Sequence, residues 1–248
     1  MTLSKKLIIV IPARMASSRL PGKPLAEIDG LPMIIQVMHR ALEADIGPVI
    51  VACAETEIAE IVRRHDGTAI LTRADHPSGS DRVFEAVEAF DPSGSYTAVV
   101  NLQGDLPALD PAAISAVFQP LADDAVDIAT LVAKITDAEE LEDENAVKAV
   151  ISLAEGRDIG RALWFSRLKS PWGAGPYYHH IGIYAYRRAA LKSFVSLPPA
   201  PLEQRERLEQ LRALEMGMRI DAAIVDSVPL GVDTPEDLSR MRMLFASK

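Results

Sequence analysis

Cysteine is nearly absent from this chain of 248 residues: Cys53 is the sole example, so no internal disulfide can form. It lies in the apolar run Val49-Ile50-Val51-Ala52-Cys53, where a buried structural thiol is expected rather than a nucleophile, in keeping with a reducing cytoplasm. Positive charge is also in deficit. Against 35 Asp and Glu stand 26 Lys and Arg, a formal net charge of −9, which argues against a general nucleic-acid binder. No apolar stretch approaches the roughly 20 residues that span a bilayer, and no signal-peptide pattern opens the sequence, so a soluble cytoplasmic protein without membrane insertion is expected. Three motifs are missing as well. Without G-x-x-x-x-G-K-[ST], a G-x-G-x-x-G after the first strand or a G-x-S-x-G elbow, the P-loop, dinucleotide-binding and serine-hydrolase readings lose support.

What is present is a stiff cationic loop. Leu7-Ile8-Ile9-Val10-Ile11 is a continuous apolar run, the pattern of a strand buried on both faces of a parallel sheet. Pro12-Ala13-Arg14-Met15-Ala16-Ser17-Ser18-Arg19-Leu20-Pro21-Gly22-Lys23-Pro24-Leu25 follows directly. Between Met1 and Ala26 the chain carries Lys5, Lys6, Arg14, Arg19 and Lys23 and no Asp or Glu. Three prolines fix φ and Gly22 opens a backbone region closed to other residues. Ligands of open α/β sheets settle beyond the carboxyl ends of strands, so this position and charge predict a grip on a small anion.

The rest of the first half alternates. Helices are predicted over Met33 to Leu42, Ile58 to His65 and Asp81 to Phe90, and strands over Val49 to Cys53, Ala69 to Leu71 and Ala98 to Leu102. This rhythm implies a mostly parallel sheet with helices on both faces. From about Asp127 strands dominate: Asp127 to Lys134, Ala146 to Leu153 and Ile181 to Tyr186, an antiparallel or mixed extension. A helix over Leu202 to Met216, a strand over Ile220 to Val225 and a proline-initiated helix over Pro235 to Phe245 close the chain.

Three further segments carry chemistry. In Asn101-Leu102-Gln103-Gly104-Asp105-Leu106-Pro107, Gly104 lets backbone approach a ligand and Asp105 presents a carboxylate where a strand ends. In Gly231-Val232-Asp233-Thr234-Pro235, Thr234 is the expected helix cap and Asp233 a second carboxylate. Such a pair suits Mg²⁺, which takes one or two protein carboxylates and completes its shell with phosphate oxygens and water. Thr72 to Arg82 is a polar loop leading through Ser78-Gly79-Ser80 into a helix, both a capping segment and a place for an anion or a hydrogen-bonding ring. His179 and His180 are adjacent on a strand and point to opposite faces, so they do not chelate one ion, though one of them can face a ligand.

These segments together resemble the 3-deoxy-manno-octulosonate cytidylyltransferases, or CMP-Kdo synthetases, nearly end to end. The family's I-P-A-R-x-x-S-x-R-L-P-G-K-P-L falls on Ile11 to Leu25, its T-R-A-D-H-x-S-G-[TS]-[ED]-R on Thr72 to Arg82, and its N-x-Q-G-D on Asn101 to Asp105. Asn145 to Lys148, Phe165 to Arg167, His180 to Tyr184, Pro201 to Glu203, Leu208 to Arg212 and Gly231 to Pro235 follow in order. The resemblance implies a Rossmann-like α/β nucleotidyltransferase with a mostly parallel central sheet, one domain over 1–248 in which about 127–200 includes an inserted, smaller β-rich dimerisation subdomain. It implies a Mg²⁺-dependent homodimer that transfers CMP from CTP to the anomeric hydroxyl of Kdo, giving CMP-Kdo and pyrophosphate for lipopolysaccharide synthesis.

By the same resemblance Arg14, Lys23, Asp105 and Asp233 are catalytic, with Asp105 and Asp233 holding Mg²⁺. CTP would be met by Pro12, Ala13, Arg14, Lys23, Arg73, Ser78, Gly79, Ser80 and Gln103, and Kdo by Arg19, Gln103, Arg167, His180, Tyr184, Glu209 and Gln210. One departure stands out. The family usually has an acidic residue after the metal aspartate, and here Leu106 takes its place, which points to an altered acceptor such as 8-amino-Kdo as one alternative; sialic acid, whose synthetases share the first loop, is the other.

Overall fold

The computed structural model describes residues 6–17 and 19–247; Lys5 and Ser18, included above in the basic zone and the first loop, lie outside them. Along the chain run β1 (Leu7–Ala13), a 3₁₀ turn (Lys23–Leu25), β2 (Glu27–Ile28), β3 (Leu31–Pro32), α1 (Met33–Glu43), β4 (Val49–Cys53), α2 (Thr56–Arg64), β5 (Thr68–Leu71), α3 (Gly79–Phe90), β6 (Ala98–Asn101) and α4 (Pro111–Ala116). After a second 3₁₀ turn (Gln119–Ala122) follow β7 (Ile128–Lys134), α5 (Ala138–Glu142), β8 (Lys148–Ser152), β9 (Ile159–Ser166), β10 (Tyr178–Arg187), α6 (Arg188–Ser196), α7 (Pro201–Glu206), α8 (Gln210–Glu215), β11 (Ile220–Val225) and α9 (Pro235–Ala246). The chain divides into two compact units, 1–114 with 229–248, and 115–228. The second is wider at both ends than the 127–200 stretch expected to hold the insertion.

In the first unit β5, β4, β1 and β6 lie in that order and every pairing is parallel. Ile8, Ile9, Val10 and Ile11 are fully buried, as are Ile50 to Cys53. Each such aliphatic side chain contributes roughly 2–3 kcal/mol by leaving water, which explains why these runs read so plainly as strands. β1 is flanked on one side by β4, the next strand of this sheet along the chain, and on the other by β6, so the connections part at β1. That is the topological switch point, where loops leaving the carboxyl ends of β1 and β6 frame a crevice. α1 buries Met33, Ile34, Val37, Met38 and Ala41 as its periodicity predicts, whereas Leu42, expected on the same face, is exposed near the end of the helix. A small apolar cluster of Ile28, Met33, Val232, Leu238 and Met241 packs α9 and its entry loop into this unit.

The second unit is mixed. β7 pairs parallel with β11 and antiparallel with β10, while β9 pairs antiparallel with both β11 and β8. β8 also meets β10 at Ala149 and Lys148, so the pairing returns on itself and β8 has a neighbour along both sides. Two expectations are corrected here. The single helix over Leu202 to Met216 is two short helices, because Arg207 takes a left-handed conformation (φ 57°) that lets Leu208 bury and folds α7 back on α8. The ion pair Arg212 to Glu203, with Nε to Oε2 at 2.8 Å, fastens that elbow. β9 is an additional strand: Gly160, Ala162, Phe165 and Ser166 are buried while Leu163 faces solvent, so hydropathy does not alternate in the sequence.

Candidate functional site

The cationic loop leaves β1 and turns through Gly22, whose φ of 71° favours glycine, into the 3₁₀ turn that carries Lys23. Glu55, just beyond β4, pins the loop from below: its Oε1 accepts the amide of Met15 at 3.0 Å. Lys23 then points back across the crevice. Its Nζ lies 2.7 Å from Oδ2 of Asp105 and 2.9 Å from Oδ1 of Asp233. Burial alone would lower the Lys23 pKa, but the two carboxylates outweigh it and hold the group above its ordinary value. Arg19 completes the cluster with Nη2 3.1 Å from Asp233 Oδ2.

Two local devices aim the carboxylates. The carbonyl of Asp105 accepts the amide of Val232 at 3.0 Å, which locks the loop after β6 against the one before α9. Capping of α9 falls to Thr234, whose Oγ1 accepts the Asp237 amide at 3.2 Å, while Asp237 Oδ2 accepts the amides of Asp233 and Thr234. The Asp233 carboxylate is thereby released from capping and faces Lys23. Gly104 is tight for an internal reason. A Cβ there would stand 3.0 Å from the carbonyl oxygen of Pro12, so the close backbone approach is between the two loops.

Arg14, Arg19, Lys23, Gln103 and Asp105 line a polar cleft of about 330 Å³. A second cavity of about 170 Å³ shares Pro12, Ala13, Arg14 and Gln103 with it and extends to His76, Ser78, Gly79 and Arg82. A triphosphate-sized anion and a ring at a helix N-terminus are the chemistry such neighbouring spaces fit. Ser78 caps α3 by accepting the Asp81 amide at 3.3 Å, and Ser80 is buried. Arg73 is exposed and gives its amide and its Nε to Glu85, at 3.1 and 3.4 Å. His76 and Arg82 lie in the Thr72 to Arg82 segment and stand beside the binding residues expected there. Both are buried, and both line the second cavity.

Whether Asp105 and Asp233 fit Mg²⁺ is answered by what they already do: two hard oxygen donors converge on one compact cation, the Lys23 ammonium. Among the described residues no group of three or more His, Cys, Asp or Glu is placed to hold a metal. A two-carboxylate site completed by phosphate oxygens is therefore the form that the donor set allows.

The remaining predicted residues lie in the second unit. Arg167 gives its guanidinium to backbone carbonyls, Nε to Glu206 at 2.9 Å and Nη1 to Glu144 at 3.0 Å. His180 is buried, with Nε2 3.1 Å from Thr130 Oγ1 and its ring edge-on to Phe165. Burial, with His179 beside it, lowers its pKa to about 3. His179 points the other way and meets Glu140 at 2.5 Å. Tyr184 stacks at a tilt between His180 and Tyr186, and burial raises its pKa. Gln210 is buried, and its Nε2 has no hydrogen-bond partner among the described residues, so it has a donor to spare. Glu209 stands beside it with Oε1 4.0 Å from Arg212. Cys53 is fully buried at the end of β4, and burial raises its thiol to about 11, an inert group.

Comparison with known proteins agrees with this chemistry. A family profile described as Cytidylyltransferase matches residues 8–220. The chain is 62% identical to a 3-deoxy-manno-octulosonate cytidylyltransferase of Paramagnetospirillum magneticum, over 96% of this chain and 97% of that one. It is 63% identical to the protein of the same name from Rhodospirillum rubrum, over 96% and 95%. Among solved structures it is similar to a CMP:2-keto-3-deoxy-manno-octonic acid synthetase complexed with CTP, with a TM-score of 0.89, 41% identity, and coverage of 98% of this chain and 99% of that one.

Proposed function

The chain belongs to the cytidylyltransferase family, and on that premise we propose that it transfers CMP from CTP to the anomeric hydroxyl of Kdo, releasing pyrophosphate. The observation that carries this reading is the convergence of Lys23, Asp105 and Asp233 at the mouth of an arginine-bearing loop. In the reaction the anomeric oxygen of Kdo forms a bond to the α-phosphorus of CTP, the bond from that phosphorus to the pyrophosphate oxygen breaks in line with it, and the hydroxyl proton passes to solvent water. The barrier is repulsion. A triphosphate and the Kdo carboxylate are both anionic, so preorganised cations contribute most.

Arg14 neutralises phosphate oxygens, and Lys23 turns from its two carboxylates toward the departing pyrophosphate. Asp105 and Asp233 would hold Mg²⁺, which supplies charge neutralisation at phosphate oxygens and lowers the pKa of a sugar hydroxyl. No side chain need act as a strong base. Backbone groups of Pro12 and Ala13 and the segment from Arg73 to Ser80 meet the nucleotide. Recognition of Kdo falls to Arg19, Gln103, Arg167, His180, Tyr184, Glu209 and Gln210, with arginine suited to the carboxylate and Glu209 and Gln210 to hydroxyls. The protein works as a homodimer in the cytoplasm, paired through the second unit.

Pyrophosphate release with CTP, Mg²⁺ and Kdo tests the reading, run beside UTP, ATP, 8-amino-Kdo and sialic acid. Turnover with CTP and Kdo well above every other pair is expected. Turnover confined to sialic acid, or none with any acceptor, would refute it.

A further inference from the structure

His76 is buried, yet one of its two ring nitrogens has no hydrogen-bond partner among the described residues. Nε2 meets Oε2 of Glu85, and the Glu85 carboxylate also accepts the amide and Nε of Arg73. Burial pushes the Glu85 pKa up, but the Arg73 amide and His76 outweigh it and hold the group below its ordinary value. An ionised carboxylate can only accept hydrogen bonds, so Nε2 must carry the proton. In the neutral ring this fixes the tautomer and leaves Nδ1 as a bare acceptor. Nδ1 is buried and has no hydrogen-bond partner among the described residues, an expensive state for a polar atom unless a ligand satisfies it.

The cavity that His76 lines supplies the rest of the argument. Arg82, itself buried, lines it too, and gives Nη1 to Thr72 Oγ1 at 2.5 Å and to the Arg73 carbonyl at 3.1 Å. α3, a helix of 12 residues, begins at the same cavity with Ser78 and Gly79. Cationic donors and helix amides would suit a ring acceptor equally in cytosine and uracil, since both carry a carbonyl at C2. The two bases part at C4, where cytosine presents an amino donor and uracil an oxygen acceptor. An acceptor locked in place by a carboxylate is the element that tells them apart.

We infer that His76, held by Glu85 as the Nε2-protonated tautomer, accepts a hydrogen bond from the 4-amino group of cytosine through Nδ1 and is the residue that selects CTP over UTP. This rests on the reading that the enzyme uses CTP, and it names a group that reads the base. Uracil would set its C4 oxygen against the Nδ1 lone pair, and buried groups left unpaired reject an analogue more strongly than lost contact area does.

The test pairs the protein group with the ligand group. Binding of CTP, UTP and the triphosphate of 2-pyrimidinone riboside, which lacks the amino group, is measured by calorimetry, with pyrophosphate release as a second readout. The variants are His76→Gln, whose amide can still donate to Glu85 but which has no polar atom at the Nδ1 position, and His76→Asn, whose Oδ1 falls near that position. Wild type should favour CTP over the deaminated analogue by about tenfold or more, the span of one buried hydrogen bond. His76→Gln should bring that ratio near one, and His76→Asn should keep most of it. A CTP-to-analogue ratio unchanged in a folded His76→Gln protein overturns the inference; if that variant does not fold, an unchanged ratio in His76→Leu does so. Absence of turnover in a wild type that still discriminates CTP from the analogue would instead refute the proposed reaction and leave the role of His76 standing.

Discussion

The Lys23 ammonium stands 2.7 Å from Asp105 Oδ2, close enough that lysine and carboxylate neutralise one another. The loop proposed to grip the anion is thereby tied to the group that would hold the cation. Removing either carboxylate leaves Lys23 with one of these two partners, and would leave Mg²⁺ with one of its two proposed protein ligands. Asp105→Asn and Asp233→Asn should each lower kcat by about 10²-fold or more, while the Kd for CTP changes far less. Steady-state pyrophosphate release together with calorimetric CTP titration separates the two effects. Equal losses in kcat and in CTP affinity would contradict the assignment.

Glu55 fixes the conformation of the cationic loop through the Met15 amide. Glu55→Ala should raise KM for CTP about tenfold with a smaller effect on kcat, since the loop must then be ordered at the expense of binding. Glu55→Gln retains an acceptor and should restore most of the affinity. An alanine variant with wild-type KM would show that the loop holds its shape unaided.

The buried His180 makes stability pH-dependent in a defined window. Its folded pKa, about 3, lies below the ordinary value of 6.5, so between these limits the unfolded chain binds a proton that the folded chain refuses. Stability contributed by the neutral ring is complete above pH 6.5 and falls as the pH drops toward 3. The slope from this group is at most about 1.4 kcal/mol per pH unit. Urea unfolding from pH 7 to pH 4 should show a shallower decline in His180→Asn than in wild type. Parallel curves would mean that His180 protonates in the fold.

Leu163 and Leu168 are exposed, and Trp172 is exposed over its whole side chain, all within β9 and the loop that follows it. Large apolar side chains in solvent are common at surfaces used for association. Leu168→Glu with Trp172→Glu should halve the mass measured by light scattering at micromolar concentration and leave the far-ultraviolet spectrum unchanged. A dimer that survives both changes would place its interface elsewhere.

Much of the first unit could be read directly from the sequence, because fully buried strands such as β1 and β4 write themselves as unbroken aliphatic runs. Chain breaks without punctuation were invisible. Arg207 turns left-handed where no glycine or proline marks it, and the reason lies in the burial of Leu208 and the pairing of Glu203 with Arg212. β9 escaped because its buried positions, Gly160, Ala162, Phe165 and Ser166, do not keep a period of two and Leu163 faces solvent. For the site, residue types and loops could be named, but not their pairing. Lys23 reads as a phosphate ligand in the sequence, and the structure engages it with two aspartates. His76 carries no periodic or compositional mark; its meaning depends on a carboxylate one helix turn into α3 and beyond.

The three members of the charged cluster are spread along the chain, with Lys23 and Asp233 separated by 210 positions and residues 115–228 folded between Asp105 and Asp233. The entropy needed to bring such distant ends together grows only slowly with the length between them, by about 0.6 kcal/mol for each doubling. A whole intervening unit is thus tolerated with little loss of stability. Its effect falls on timing. As the polypeptide emerges from the ribosome, β1, β4 and β6 are available early, but the second carboxylate follows only after residues 115–228 have been made. A nascent chain can therefore build its first sheet before both carboxylates are at hand, and the charged cluster closes only once the second unit has been synthesised.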